Sequence, residues 1–408
     1  MRPWIPCLAA LACSCADSPS SAESHEYLYL WTGSSDSTRP DFLAVLDVTE
    51  APLRYGRLVT TVPVPGLQNG PHHTEHEMPA DHRLFANGFK TGKTFVFDMT
   101  DPAAPRLDGE LAEVQGMVHP HSYLRLPNGN VLATFQMWHA SARAMPGGLA
   151  ELTPHAKVVR ATSLNVPGID QGVRPYSAAI VKDLDRIVVT TTDMIEDSPA
   201  SRTIEVWRLS DLKLLTSFPL PDGPVGGEGL LSAEPRVLAD GRTVLVSTFN
   251  CGLYLLDGLE TDKPSARLVL SFPRLQGESC AIPVIAGHYY LVTVPAYRAV
   301  VSLDISDPAA PREVSRATLD TADVPHWISI SPDHHRVVVT GYGTMRNKVV
   351  LLTFDSTNGQ LEVDRRFREV ATLTPGFRMD NKAWPHGGTA AGVPHGAVFS
   401  GLIRGKSD

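Results

Sequence analysis

One pattern recurs along the chain and restricts its fold more than any other feature: a short apolar strand that ends in an acidic or polar turn. Seven copies occur, at residues 42–48, 94–101, 147–153, 204–211, 252–259, 299–307 and 348–355. The turn that closes the second copy, Asp101-Pro-Ala-Ala-Pro-Arg106, returns unchanged at the sixth copy as residues 307–312. Copies about 45 to 60 residues apart are typical of propeller blades with four strands each. The pattern therefore predicts an all-β fold, a seven-bladed β-propeller.

A β-hairpin precedes six of these strands, and the chain termini account for the seventh blade. The first strands of the hairpins start at His73, His121, Tyr176, Glu234, Cys280 and His326. Residues 26–34 resemble a second strand without a first, and residues 393–402 resemble a first strand without a second. Pairing these two segments closes one blade from both termini and removes the open edge of the ring. Two β-sandwiches would not explain why both half-blades lie at the chain ends.

The N-terminus indicates an export signal rather than a membrane span. Arg2 precedes about ten apolar residues that end in small side chains, followed by a Ser-rich tract to Ser24, whereas a spanning helix needs about 20 apolar residues. The sequence predicts a signal peptide or lipoprotein leader at residues 1–24 and the propeller at residues 25–408. In a lipoprotein, Cys13 or Cys15 would carry the lipid anchor. We expect an exported protein, either periplasmic or lipid-anchored.

Charge and composition narrow the class of partner. The 408-residue chain has 36 Lys and Arg against 44 Asp and Glu, a formal net charge of −8, and it lacks the clustered basic residues that nucleic-acid binding requires. With 43% hydrophobic residues the chain can bury a core and is too apolar for disorder. A folded protein without a nucleic-acid partner is expected.

The residues that open the first strands converge at one mouth of the central channel of a propeller. They are His73, His121, Tyr176, Glu234, Cys280, His326 and His395. Several imidazoles with few carboxylates favour Cu, Zn, Fe or Ni over Ca or Mg. His121 and His395 occupy the same repeat position as His73, and both follow proline. A histidine-ligated metal site is predicted there.

Three of these residues keep alternative interpretations. His326 lies beside Trp327, so it serves either as a ligand or through stacking and hydrogen bonding. Glu234 either pairs with Arg236 or acts as a base. Cys280 either forms a disulfide with Cys251, which the placement one blade apart favours in an oxidising compartment, or remains a free thiol beside the metal.

Several motifs together resemble the selenium-binding protein / methanethiol oxidase family. TRPDFLAVLDV followed by PVPGLQNGPHHTEHE is similar to the opening of that family. Further short matches are Pro120-His121-Ser122, Ala233-Glu234-Pro235-Arg236, the LDISDP segment at residues 303–308, and Pro394-His395. The motifs extend over nearly the whole chain after the leader.

The resemblance implies a copper ion held by histidines, with His72, His73, His121 and His395 as ligands. Glu234 and His326 are the candidate catalytic residues. The resemblance also implies oxidation of methanethiol by oxygen and water to formaldehyde, hydrogen sulfide and hydrogen peroxide. Three family features are missing: Met78-Pro-Ala replaces a cysteine pair, Leu124 replaces a histidine, and Gly396 replaces a glutamate. The alternative is a non-catalytic metal-binding or scaffold propeller of the periplasm.

Overall fold

The computed structural model describes residue 1 and residues 25–401, apart from 52, 139–144, 165–172, 195–199, 276–278, 281 and 370–373. The leader at residues 1–24 therefore lies, except for Met1, outside the described residues, as does the end of the chain from residue 402. The predicted division of the chain into a leader at residues 1–24 and a propeller at residues 25–408 therefore stays a prediction. Within the described residues, no helix is long and apolar enough to cross a membrane.

The described chain consists almost entirely of short strands. The first half contains β1 (Tyr27–Ser34), β2 (Phe42–Asp47), β3 (Arg57–Pro63), β4 (Pro71–Thr74), β5 (Arg83–Gly88), β6 (Lys93–Asp98), β7 (Arg106–Leu111), β8 (Met117–Arg125), β9 (Val131–Trp138), β10 (Pro146–Leu152), β11 (Val158–Ser163), β12 (Pro175–Val181), β13 (Arg186–Thr191), β14 (Thr203–Arg208) and β15 (Lys213–Pro219). The second half contains β16 (Ser232–Val237), β17 (Val244–Thr248), β18 (Gly252–Asp257), β19 (Ser265–Ser271), β20 (Pro283–Ala286), β21 (Tyr289–Val294), β22 (Ala299–Asp304), β23 (Arg312–Thr318), β24 (Asp323–Ile330), β25 (Arg336–Gly343), β26 (Lys348–Asp355), β27 (Gln360–Val363), β28 (Phe377–Arg378), β29 (Lys382–Ala383), β30 (Thr389–Ala390) and β31 (Gly392–Phe399). Three single 3₁₀ turns lie at Lys182–Leu184, Pro295–Tyr297 and Thr344–Asn347.

Seven antiparallel blades form the ring, which confirms the predicted seven-bladed β-propeller. Six blades take consecutive strands, β4–β7, β8–β11, β12–β15, β16–β19, β20–β23 and β24–β27, and the seventh has the order β31-β1-β2-β3. The pairing of β1 with β31 joins Leu28 to Phe399 and Thr32 to Pro394. The N- and C-terminal strands therefore close one blade together, as the sequence predicts.

The sequence repeat corresponds to the third strand of each blade, and burial explains why that strand is the most visible. Strand β2 is buried along its whole length because neighbouring blades cover both of its faces, and such strands are continuously apolar. The outermost strand β7 instead alternates exposed and half-buried residues. Several predicted strand starts are wrong: Cys280 precedes β20, which begins only at Pro283, and β8 and β24 begin earlier than predicted, at Met117 and Asp323.

An irregularity recurs in the innermost strands. In β8 the pairing passes from Pro120 opposite Phe135 to Tyr123 opposite Ala133, so the inner strand carries one residue more than its partner. Equivalent shifts occur in β4, β12, β16, β24 and β31. A β-bulge of this kind turns a side chain out of the normal alternation, and it is a place where a strand tolerates proline.

Polar side chains on the second strands hold these bulges in place. Thr134 in β9 accepts a hydrogen bond from the Ser122 amide at 3.0 Å and donates to the Tyr176 carbonyl of the next blade at 2.8 Å. Side chains at the corresponding position that also donate to a bulge carbonyl of the next blade are Asn87, Thr190, Thr293 and Thr340. Each bond satisfies a carbonyl that the bulge removes from the sheet ladder.

Candidate metal centre

Five buried histidines from four inner strands meet at one mouth of the channel; we call them the histidine cluster. They are His72, His73, His121, His326 and His395. In a regular strand the neighbours His72 and His73 would point to opposite faces. The bulge in β4 instead lets their rings stack with centroids 4.3 Å apart and planes inclined by 8°.

The cluster contains two groups of three imidazoles that share His72. Potential ligand nitrogens of His72, His73 and His121 lie within 4.8 Å of one another, and so do those of His72, His326 and His395. The structure therefore brings all four sequence-predicted ligands together, but it divides them between two groups. His326, predicted as a catalytic residue, lies in the second group.

The hydrogen bonds of His121 determine which of its nitrogens can bind a metal. Nδ1 lies 3.0 Å from the Tyr176 carbonyl oxygen and 3.1 Å from the Ser122 hydroxyl. Because a carbonyl oxygen only accepts, Nδ1 carries the proton and donates it. The buried Nε2 has no hydrogen-bond partner, so its lone pair is free for a metal, as in histidine ligands oriented by a backbone carbonyl.

The other histidines also present unpartnered nitrogens. His395 Nε2 lies 3.1 Å from the Tyr342 hydroxyl, whereas its Nδ1 is buried without a hydrogen bond. Nδ1 of His72 and both ring nitrogens of His73 are likewise buried without a hydrogen bond. Buried polar atoms without a partner are rare in proteins. Their concentration at one place provides several donor atoms for a metal ion.

Burial keeps the cluster uncharged. Desolvation lowers the pKa of His121 to about 3 and that of His395 to about 4. The pKa values of His72, His73 and His326 lie well below the usual range, through burial first and the neighbouring histidines second. A neutral imidazole is the form that ligates transition metals. The residues present therefore fit a histidine-ligated transition metal.

Glu234 lies apart from the histidine groups. Its Oε2 accepts hydrogen bonds from the Ser177 hydroxyl and from Arg236, both at 2.7 Å, so the predicted pairing with Arg236 is present. Its Oε1 is buried without a partner. The negative charge of Glu234 raises the pKa of buried Tyr176, after desolvation as the main cause, and the Tyr176 ring lies 3.9 Å from that of His121. Catalytic roles for Glu234 and His326 stay predictions.

A disulfide joins Cys251 and Cys280, with sulfurs 2.18 Å apart. This confirms the favoured sequence interpretation, and it excludes Cys280 as a thiolate ligand in this state. The Cys280 amide donates to the Phe249 carbonyl at 3.1 Å. The bridge therefore fixes the loop beside Phe249, whose ring faces His326 with centroids 6.4 Å apart.

One contributor to the site has little signal in the sequence. Tyr342 bonds His395 and lies 4.8 Å from the His326 ring; its only signal is its position after a predicted second strand. His76 stacks on Trp327 with centroids 4.4 Å apart, and Trp327 in turn contacts the His73 ring at 4.8 Å. Trp327 thus separates the histidine cluster from His76.

Comparison with known proteins supports the family resemblance. No protein-family model matches the chain. Among curated proteins, methanethiol oxidase from Hyphomicrobium sp. is 25% identical over 222 residues, which are 49% of this chain and 49% of that protein. The match thus spans about half the length of this curated relative.

Solved structures show the same fold. A hypothetical selenium-binding protein from Sulfolobus tokodaii matches 95% of this chain and 95% of its own, with a TM-score of 0.72 and 18% identity. The periplasmic gluconolactonase of Pseudomonas aeruginosa matches 93% of this chain and 100% of its own, with a TM-score of 0.60 and 15% identity. At these identities the likeness establishes the propeller fold alone. The chain is a propeller that resembles the selenium-binding protein / methanethiol oxidase family.

Proposed function

We propose that this protein is a divergent relative of methanethiol oxidase that oxidises a small thiol at a copper ion held by the histidine cluster. In the reaction, methanethiol, oxygen and water give formaldehyde, hydrogen sulfide and hydrogen peroxide. The observation that carries the proposal is the set of unpartnered imidazole nitrogens of His72, His73, His121 and His395 at one channel mouth. The sequence match to methanethiol oxidase supports it.

The histidine ligands indicate a group of transition metals, and the proposed reaction restricts that group to redox-active metals. Neutral imidazoles bind Cu, Zn, Fe and Ni, but oxidation by oxygen requires a redox-active metal, which excludes zinc. A bound copper ion would supply a Lewis acid that lowers the pKa of a thiol and a centre for electron transfer. His72, His73, His121 and His395 would hold it.

Side chains near the proposed metal would bind the thiol group of the substrate and orient the metal ligands. His326 is neutral because burial lowers its pKa, so its imidazole can accept a hydrogen bond from the S–H group of a substrate beside it, while a bound metal would lower the pKa of that thiol. The Tyr342 hydroxyl orients His395 through its contact with Nε2. Glu234 touches Ser177 and Arg236 rather than a histidine, so it would act on the centre through Tyr176.

Metal analysis and oxygen uptake test the proposal. Protein expressed separately with copper and with zinc is analysed for bound metal, and oxygen consumption is then measured with methanethiol. Copper binding with methanethiol-dependent oxygen uptake and sulfide release is the expected result. Stoichiometric copper without oxygen uptake would instead support the non-catalytic metal-binding propeller, and absence of bound metal would refute both.

We also propose that the protein is exported, with residues 1–24 as a signal peptide or lipoprotein leader. The disulfide between Cys251 and Cys280 supports this, because such bridges persist in oxidising compartments. Mass spectrometry of protein purified from a bacterial host gives the mature N-terminus. Cleavage near Ser24, or a diacylglyceryl group on Cys13 or Cys15, is expected, and an unprocessed chain in the cytoplasmic fraction would contradict it.

A further inference from the structure

An apolar cavity of about 560 Å³ opens beside the histidine cluster. Its apolar wall consists of Met194, Leu231, Phe249, Val324 and Pro325. Protein cavities that enclose organic ligands measure about 300 to 1,000 Å³. This space is therefore far larger than methanethiol, a single carbon and a sulfur, requires.

The cavity reaches the proposed reaction centre directly. His326 and Tyr342 both form part of its wall. His326 also belongs to a group of three imidazoles whose nitrogens lie within 4.8 Å of one another. A molecule in the cavity can therefore place one end against His326 while the rest of it contacts the apolar wall.

The charge of the lining selects against anionic ligands. Among the described lining residues there is no Lys or Arg, and the one charged group is Asp193, which faces buried Arg174 at 3.7 Å. A thiol that carries a carboxylate or sulfonate would lose its hydration beside this wall without gaining a cationic partner.

A second cavity, which Tyr342 also lines, differs in the charged side chains of its wall. It measures about 400 Å³, and Lys90, Arg346 and Asp41 line it together with His72 and His395. Polar reactants and products can reach the cluster from that side. The apolar cavity is thus the side that suits a hydrocarbon group.

We propose that the apolar cavity binds the alkyl chain of an aliphatic thiol longer than methanethiol, with its sulfur at the histidine cluster. This inference rests on the proposed function, which supplies the oxidation. The balance is unchanged: R–CH₂–SH, oxygen and water give R–CHO, hydrogen sulfide and hydrogen peroxide, so one C–S bond breaks and oxygen is the electron acceptor. An alkyl chain gains affinity by burying its methylene groups against the wall.

Binding of alcohols tests the cavity without any oxidation. Calorimetry on metal-free protein compares 1-propanol, 1-pentanol and 1-heptanol, which carry the alkyl chain without the thiol. Each added methylene should raise affinity about fourfold, because burial of a methylene contributes about 0.8 kcal/mol.

Val324→Phe fills part of the cavity and should weaken 1-pentanol binding at least about tenfold, since the alkyl contacts are lost. Val314→Phe, at a half-buried valine of the outer strand β23, is the matched control and should leave binding unchanged.

Oxygen uptake by the copper-loaded protein then separates the two proposals. A higher kcat/KM for 1-pentanethiol than for methanethiol, with no turnover of 2-mercaptoethanesulfonate, is the expected result. Alcohol affinity that is independent of chain length, or unchanged in Val324→Phe, would overturn the cavity assignment even if methanethiol is oxidised. Chain-length-dependent alcohol binding without oxidation of any thiol would keep the assignment and refute the proposed function.

Discussion

A buried imidazole nitrogen without a partner costs free energy, of the order of 1–3 kcal/mol for each lost hydrogen bond. The histidine cluster holds such nitrogens on His72, His73, His121 and His395, and burial keeps the rings from offsetting the cost by protonation, since their pKa values are lowered. A bound transition metal would supply the missing partner. At the residue scale, the site is therefore better explained by a ligand than by packing.

His121→Ala should abolish most metal binding and leave the fold intact. The side chain offers Nε2 to the cluster, and the Tyr176 carbonyl that it bonds keeps a second donor in Thr134. Metal content per chain after dialysis, together with the far-UV circular dichroism spectrum, measures the effect. His155→Ala removes an exposed histidine paired with Asp108 and should retain the metal; equal loss in both variants would contradict the assignment.

Glu234→Gln should lower kcat about 10- to 100-fold, as expected for an outer group that acts on the metal ligands through a neighbouring side chain, while metal content stays constant. The substitution keeps the shape of the side chain and removes the charge that faces Arg236 and Tyr176. Steady-state oxygen uptake across pH measures kcat and its profile.

A purely structural role of Glu234 predicts a different result. If Glu234 only neutralises Arg236, then Glu234→Gln leaves the half-buried Arg236 without its carboxylate partner, and adding Arg236→Met should restore both stability and kcat. The double-mutant cycle distinguishes the two roles: rescue by the second substitution would mean that Glu234 acts only by neutralising Arg236 and not on Tyr176.

At the scale of strands, the bulge is the element that creates the site. Six inner strands carry the extra residue, and in four of them the residues at the bulge include histidines of the cluster. Proline precedes the bulge histidine in β4, β8, β24 and β31, where a missing amide proton is tolerated. The second-strand side chains that bond the bulges fix the direction of the histidines.

Thr134→Val should destabilise the protein by about 1–3 kcal/mol, because valine keeps the shape but leaves the Ser122 amide and the Tyr176 carbonyl without Thr134 as partner. Metal affinity should also fall, since the same carbonyl orients His121. Urea unfolding and a competitive metal titration measure the two effects. Thr318→Val, at the exposed end of β23, is the control and should change neither.

At the scale of the whole molecule, one blade depends on both chain ends. Strand β31 pairs with β1 over most of its length, and it also supplies His395. Trp327 and Ser329 of the neighbouring blade donate to the Ala397 carbonyl at 3.0 and 2.8 Å. Ring closure and completion of the histidine cluster therefore depend on the same strand.

Deleting residues 393–408 should expose the edge of β1, uncover the adjacent blade and remove a predicted ligand, so the truncated protein should aggregate. Light scattering and metal content of the purified chain measure this. Deleting only residues 402–408 leaves β31 in place and should give soluble protein with bound metal. A soluble, metal-replete chain ending at residue 392 would refute the closure argument.

The sequence was sufficient for the architecture because a propeller repeats local signals. Each third strand is buried on both faces, so its apolar run is visible without knowledge of the rest of the fold, and the half-blades at residues 26–34 and 393–402 indicate the closure. The position of His121 and His395 in the repeat, after proline, likewise placed them at one channel mouth. These properties depend on neighbours along the chain.

The composition of each histidine group was decided only by the tertiary structure. Repeat position does not show that His395 groups with His326 while His121 groups with His73, because those distances depend on how blades pack around the ring. The same holds for Tyr342, which reaches His395 from another blade, and for the apolar cavity beside His326. A sequence repeat specifies which residues face the channel, whereas contacts across the channel arise only when the ring closes.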